Sequence, residues 1–269
     1  MKKRTHFERT YFMAILLFTF MIVIVANEGF TQFAKPRAFA AHKENQDLSE
    51  HKNTSTQPNN ECHIPLQDNK PIAYLTFDDG PTLHTDPILD TLNKYGVGGT
   101  FFFIGERLHA LRPSTIDKIK AGCFTVGSHS YTHDTKKIYE EELFIEENLD
   151  TFSLLEDLGF QTNLLRAPYG STYVNQDDKE KAQQYGWQLL DWNIDSMDWK
   201  WKNAKKSYEH IIKQLDLFKK RQSEIVILLH EQSETTELLA MLIPEMKQRG
   251  FQLISGETKA FNNLTFKTS

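Results

Sequence analysis

Apolar runs of strand type alternate with stretches of helical period along most of this chain. Residues 72–77 are rich in β-favouring side chains, and 86–95 follow with Ile88, Leu89 and Leu92 at helical spacing. Residues 100–104 read as a strand made almost wholly of Phe. Residues 113–121 read as a helix that Gly122 stops. Strand 124–127 precedes a long amphipathic helix over 140–158, whose apolar face carries Leu143, Leu149, Leu154, Leu155 and Leu158 and which Gly159 ends. Strands at 163–165 and 187–190 flank a helix at 177–185. A helix at 204–220, a fully apolar strand at 225–229, a helix at 237–249 and a strand at 251–254 complete the series. Continuous apolar runs are what buried parallel strands require, and strand–helix alternation implies parallel strands joined by helical crossovers. The expected fold is α/β, a distorted or incomplete (β/α) barrel with about seven parallel strands. An open doubly wound sheet is the second choice, and no internal repeat is visible.

A polar cluster follows directly after each of five of these runs. The clusters are Asp78-Asp79-Gly80, His129-Ser130-Tyr131-Thr132-His133, Arg166-Ala167-Pro168-Tyr169-Gly170, residues 191–199, and His230. Chemistry gathered at strand ends is what a barrel produces, because its active site lies at the C-terminal mouth of the strands.

Each cluster has its own chemical reading. Asp78 and Asp79 are neighbours on a strand and so point to opposite sides unless the turn redirects one of them. One can bind a metal while the other acts as a base; an ordinary Asp-Gly turn is the competing reading. His129 and His133 are four apart, a spacing that on a helical turn puts both imidazoles on one face. Two His and a carboxylate with open positions describe a catalytic zinc site, although a chain with 10 His can hold such a pair by chance. Arg166 can orient a carboxylate by bidentate hydrogen bonds. Asp191, Asp195 and Asp198 lie among Trp192 and Trp199, where aromatic faces suit sugar rings and a carboxylate can orient an imidazole. His230, at the end of a buried strand, can serve as general acid.

Composition limits the partners. Charged residues make up 25% of the 269 and hydrophobic ones 39%, and the net charge is −5. These are ordinary globular values with no basic block, so no nucleic-acid partner is expected. The N-terminus departs from this pattern. Lys2, Lys3, Arg4 and Arg9 precede an apolar stretch over 11–26, the mark of a secretory signal or a membrane anchor. Ala38-Phe39-Ala40 resembles a cleavage site but lies far beyond that stretch, so cleavage and anchoring both stay open. Residues 42–68 are too polar to fold alone. The expected division is a signal or anchor at 1–41, a polar linker at 42–68, a catalytic domain at 69–260 and a tail at 261–269, with the chain outside the cytoplasm. Two cysteines, Cys62 and Cys123, do not make a disulfide framework. An exported chain could still join the two, but the preferred reading is Cys123 as a buried small hydrophobe and Cys62 as a residue of the polar lead-in that can stay free.

Taken together, the five clusters resemble the motifs of the polysaccharide deacetylases, carbohydrate esterases that remove acetyl groups from chitin-like, xylan or peptidoglycan chains. Thr76-Phe77-Asp78-Asp79-Gly80-Pro81 is similar to the first motif, 129–133 to the second, 166–170 to the third, 191–199 to the fourth and Leu228-Leu229-His230 to the fifth. The resemblance runs over roughly residues 70–255. It implies Asp78 as base, with Asp79, His129 and His133 as ligands of one divalent metal, usually zinc, with cobalt, nickel or manganese as alternatives. It implies Arg166 orienting Asp78, His230 as general acid, the Tyr169 N–H binding the oxyanion, and Leu228 and Trp199 lining the acetyl pocket. An acid of the fourth motif would tune His230, with Asp195 preferred over Asp198. Two departures stand out: Glu231 follows His230 where many relatives have Asp, and Ala167 stands where Pro is frequent. The implied activity is N-deacetylation of a cell-wall glycan, on N-acetylglucosamine rather than N-acetylmuramic acid. An O-acetyl xylan esterase or a non-catalytic glycan binder are the alternatives. The implied partners are the glycan and, if the N-terminal segment is uncleaved, a membrane; a monomer is expected.

Overall fold

The protein, seen as a computed structural model, is described at Ile64, Gln67, residues 70–218 and residues 224–256. The expected signal or anchor, the tail and nearly all of the linker lie outside the described residues. The chain divides into two units, Met1–Gln57 and Pro58–Ser269, and the described residues all belong to the second. Among them no helix is long and apolar enough to cross a membrane.

Strand β1 (Ile72–Gly80) is the centre of the sheet and is buried along nearly its whole length. It pairs in parallel with β2 (Gly99–Phe103), β7 (Ile225–His230) and β8 (Gln252–Ile254). β3 (Phe124–Ser128), β4 (Leu164–Leu165) and β5 (Gln188–Leu189) extend the sheet from β2, and β6 (Ile194–Asp195) extends it from β7. The order β5-β4-β3-β2-β1-β7-β6 is that of a barrel cut once, between β5 and β6, with β8 as an extra strand on β1. An open doubly wound sheet would reverse direction from a central strand; here the numbers run on around the ring. Every pairing is parallel, so every strand presents its C-terminal end at one mouth.

Alternation along the strands separates two cores. Ala73, Leu75 and Phe77 face outward into a large cluster. It holds Phe101, Phe103, Leu229 and the inner faces of helices α1 (Thr85–Tyr95) and α7 (Thr235–Gln248). Tyr74 faces inward and packs with Phe102, Leu164, Leu190 and Val226. Above that apolar floor the inward ladder of β1 continues with Thr76 and then Asp78. The barrel interior therefore turns polar one pleat at a time towards its mouth.

The other helices are α2 (Pro113–Ala121), α3 (Phe144–Asp157), α4 (Gln176–Gln184), α5 (Asp198–Trp201) and α6 (Ala204–Phe218). Helix α4 starts on Asn175, whose side chain accepts the Asp178 N–H at 2.8 Å. The long helix expected over 140–158 begins only at Phe144. A π-helical turn, Lys136–Glu140, precedes it, and Glu142 at φ 56 breaks the register, leaving Leu143 exposed. Strand β6, only two residues long, has no periodicity to reveal it. Cys123 is disulfide-bonded, so the preferred reading of it as a buried small hydrophobe gives way to the alternative that the sequence left open. The only other cysteine in the chain, Cys62, lies outside the described residues.

Candidate active site

Asp78 ends the inward ladder of β1 and is 3% exposed. Asp79 ought to point the other way. A register irregularity between Phe77 and Gly80 and a left-handed backbone at Asp79, φ 68, turn it back to the same side. The turn is held from both flanks: Arg107 donates to the Asp79 carbonyl at 2.5 Å, and Glu231 accepts the Thr82 N–H at 3.1 Å and the Thr85 hydroxyl at 2.5 Å. A Cβ at Gly80 would run into the Glu231 carboxylate, so only glycine fits there.

His129 and His133 do not lie on a helical turn, as the spacing predicted. They lie on the loop after β3, where Ser130 (φ 61) and His133 (φ 60) are left-handed. Glu147, buried on α3, binds that loop through the N–H groups of Tyr131 (2.9 Å) and Thr132 (2.6 Å) and the Thr132 hydroxyl (2.9 Å). The imidazoles still meet, with ring centroids 4.9 Å apart. His129 Nδ1 lies 2.9 Å from the Arg166 carbonyl, which only accepts, so Nδ1 carries the proton and Nε2 is a free donor atom. His129 Nε2 is 3.6 Å from an Asp79 oxygen, and His133 Nε2 is 3.4 Å from the same oxygen.

That arrangement fits a cation. One atom from each of Asp79, His129 and His133 falls within 4.8 Å of the others. Asp79 Oδ1 is buried and accepts no hydrogen bond among the described residues, an orphan that a metal would satisfy. Burial, and then the neighbouring His129, hold His133 below its usual range, as a neutral ligand requires. Burial pushes the Asp79 carboxyl upward, but His129, His230, His133 and Arg107 outweigh it and keep the group below its usual range.

Arg166 is fully buried beneath Asp78. Its grip is not the expected bidentate one. Nη1 donates to Asp78 Oδ1 at 2.8 Å and to Thr76 Oγ1 at 2.7 Å, Nε donates to the Leu190 carbonyl at 3.0 Å, and Nη2 reaches the Asp191 carbonyl at 3.4 Å. From its place after β4 the guanidinium fork is shared between β1 and the segment just past β5, and it lies 4.3 Å from the Phe102 ring centroid. Asp78 Oδ2 is left for the cleft, 3.6 Å from His129 Nε2.

His230 sits opposite Asp78 in the β1–β7 register. Its acidic partner is Asp198, not Asp195. Asp198 Oδ1 accepts from His230 Nδ1 at 2.7 Å, and Oδ2 accepts the His230 N–H at 2.8 Å. Met197 at φ 56 swings the chain so that Asp198 opens α5 facing β7. Asp195 instead accepts the Met197 N–H at 2.7 Å. Burial pulls the His230 imidazole down, yet Asp198, then Asp78 and Asp79, carry it up to about 9.

The groove residues are split in exposure. Leu228 is buried, whereas Trp199 and Tyr169 stand 48% and 58% exposed. Tyr169 is left-handed at φ 63, and its N–H meets no acceptor among the described residues. Sequence reasoning missed Glu147, and it named Thr76, Asp191 and Glu231 without the partners that they support here, Arg166, Ser171 and Thr85. Glu147 had a signal: it falls on the stripe of Phe144, Thr151 and Leu155, where a carboxylate would otherwise be buried without cause.

Fold and site together define an incomplete α/β barrel with, at its mouth, a cluster of one carboxylate and two imidazoles that could hold a metal ion and, beside it, a clamped acid. Comparison with known proteins agrees. The polysaccharide deacetylase family model matches residues 66–190. A peptidoglycan-N-acetylglucosamine deacetylase of Bacillus cereus is 31% identical over 185 residues, covering 67% of each chain. YheN of Bacillus subtilis is 32% identical over 184 residues, 66% of this chain and 64% of that protein. The crystal structure of the polysaccharide deacetylase Bc1974 from Bacillus cereus aligns with a TM-score of 0.65 at 27% identity, over 73% of this chain and 97% of that one. The chain belongs to the polysaccharide deacetylase family. It spans about two thirds of the length of these curated relatives.

Proposed function

We propose that the protein is a metal-dependent deacetylase that hydrolyses acetamido groups of N-acetylglucosamine residues in cell-wall glycan, outside the cytoplasm. The observation that carries this reading is the convergence of Asp79, His129 and His133 beside a second acid, Asp78, that Arg166 locks in place. The relatives named as peptidoglycan deacetylases support the substrate class.

A divalent cation held by the three ligands, zinc being the reading that two His and one carboxylate favour, would supply carbonyl polarisation and a lowered pKa for water. The protein's own groups do the rest. Asp78 Oδ2 faces the cleft while Oδ1 stays on Arg166, so the carboxylate accepts the proton of the attacking water without turning. The free Tyr169 N–H donates to the oxygen of the tetrahedral adduct; one such donor is typically worth ~3–4 kcal/mol of barrier. His230, kept protonated by Asp198, delivers its Nε2 proton to the departing amine nitrogen, which leaves poorly as an anion. Leu228 and Trp199 border the acetyl methyl. Acetate and a free amino sugar result.

Asp78→Asn tests the assignment. The amide keeps the bond to Arg166 but cannot take a proton, so acetate release from N-acetylglucosamine oligomers falls by at least ~10²-fold while zinc still binds one per chain. Retention of a tenth or more of the parent rate would remove Asp78 from the role of base.

A further inference from the structure

We propose that Tyr173, with Tyr169 standing edge-on beside it, offers the stacking face of a platform for the sugar next along the chain from the one whose acetamido group is hydrolysed. This rests on the reading of the protein as a glycan deacetylase. Tyr169 and Tyr173 are 58% and 63% exposed, large rings left in water beside the cleft. Tyr169 lies 5.1 Å from the ring of the ligand His133, and Tyr173 meets Tyr169 edge to face at 6.5 Å. The pair therefore leads away from the cation cluster in two ring steps.

Exposed aromatics on a loose loop would carry little; this loop is fixed. Asp191 accepts both the Ser171 N–H, at 3.0 Å, and the Ser171 hydroxyl. Gly170 is at φ 102, and a Cβ there would stand 3.3 Å from Trp192, so the turn is pressed against that indole. A third tyrosine backs the platform: the Tyr139 ring lies 5.9 Å from Tyr173, and its hydroxyl donates to the Pro168 carbonyl at 2.6 Å. Tyr139 thus props Tyr173 from behind and returns to the same loop.

Rings that are already ordered lose little freedom when a ligand arrives, so their contact energy is kept for binding. A tyrosine face is apolar and weakly negative, with a hydroxyl at its rim. That suits the C–H-bearing face of a neutral pyranose with hydroxyls around its edge. It does not suit an anionic peptide. The ligand class is an uncharged hexosamine within a chain, which makes the platform a reader of chain length.

The experiment compares kcat/KM on the N-acetylglucosamine tetramer with that on the monosaccharide, for the parent, Tyr173→Ala and Tyr173→Trp in the zinc-loaded protein. Titration calorimetry with the tetramer reads binding separately from turnover. Removing one stacking face lowers the tetramer-to-monosaccharide ratio about fivefold and weakens tetramer binding to match. Tryptophan restores both. A ratio and an affinity unchanged in Tyr173→Ala overturn the platform. A parent that binds the tetramer through Tyr173 but releases no acetate would instead overturn the deacetylase reading and leave the platform standing.

Discussion

Five residues of the site loops, Asp79, Ser130, His133, Tyr169 and Met197, hold left-handed backbone without being glycine. Such conformations cost ~1–3 kcal/mol each and persist where the surroundings force them. Here each one re-aims a group that strand or helix geometry would misdirect. Asp79 is brought to the side of Asp78, His133 to His129, the Tyr169 N–H to the cleft, and Asp198 to His230. Nothing in the residue types announces these turns, so the sequence placed the motifs but chose Asp195 over Asp198. The structural choice predicts a pH effect. His230 is raised to about 9 chiefly by the Asp198 hydrogen bond acting against burial. A raised histidine adds stability that is full below about pH 6.5 and lost as pH climbs through about 9, and its acid form persists over the same range. Asp198→Asn should move the alkaline limb of kcat/KM down by about 1–2 units, read from a pH–rate profile. An unmoved limb in Asp198→Asn, or the same move in Asp195→Asn, would contradict the pairing.

Glu231 makes the stability of the fold depend on pH as well. Burial pushes its carboxyl up to about 7, against the pull of Thr85 and Thr82. Its Oε1 meets no donor among the described residues. A raised carboxyl favours the folded state while protonated, so this contribution is present below about pH 4.5 and is lost as pH rises through about 7. In Glu231→Gln the fall in melting temperature between pH 5 and pH 8 should flatten relative to the parent, as scanning calorimetry would show. Parallel curves would mean that Glu231 is not the group being titrated.

At the scale of elements, the strands were legible because buried parallel strands need unbroken apolar runs, and β1, β2, β3 and β7 have them. The start of α3 was not. Leu143 fits an amphipathic period, but Glu142 in left-handed backbone ends the register one residue earlier. The His loop was misjudged for a related reason: a four-residue spacing fits a helical turn equally well, and only Glu147 decides otherwise. That carboxylate replaces the missing helical hydrogen bonds with three of its own. It touches neither imidazole, yet it sets where His133 stands. Glu147→Ala should lower zinc affinity about tenfold, in line with the usual worth of groups that orient metal ligands, with little change in the far-UV circular dichroism. Equal zinc affinity in competition titrations would show that the loop holds its form unaided.

The whole molecule is a ring of parallel strands cut between β5 and β6, with an apolar floor of Tyr74, Phe102, Leu164, Leu190 and Val226 beneath a polar mouth. The buried guanidinium of Arg166 joins the two levels. It spans β1, the end of β4 and the segment after β5, so it fastens the barrel beside its gap while holding Asp78. Fold and chemistry are thus coupled through one side chain whose charge is tolerable only because every arm is bonded. If Asp79, His129 and His133 capture one cation, as proposed, turnover depends on it. The direct measurement is acetate release from N-acetylglucosamine oligomers after chelator treatment, followed by stepwise return of zinc. Activity should vanish in the stripped protein and return in full at one equivalent per chain, with no return in His133→Ala. Undiminished release from the stripped protein would contradict that dependence.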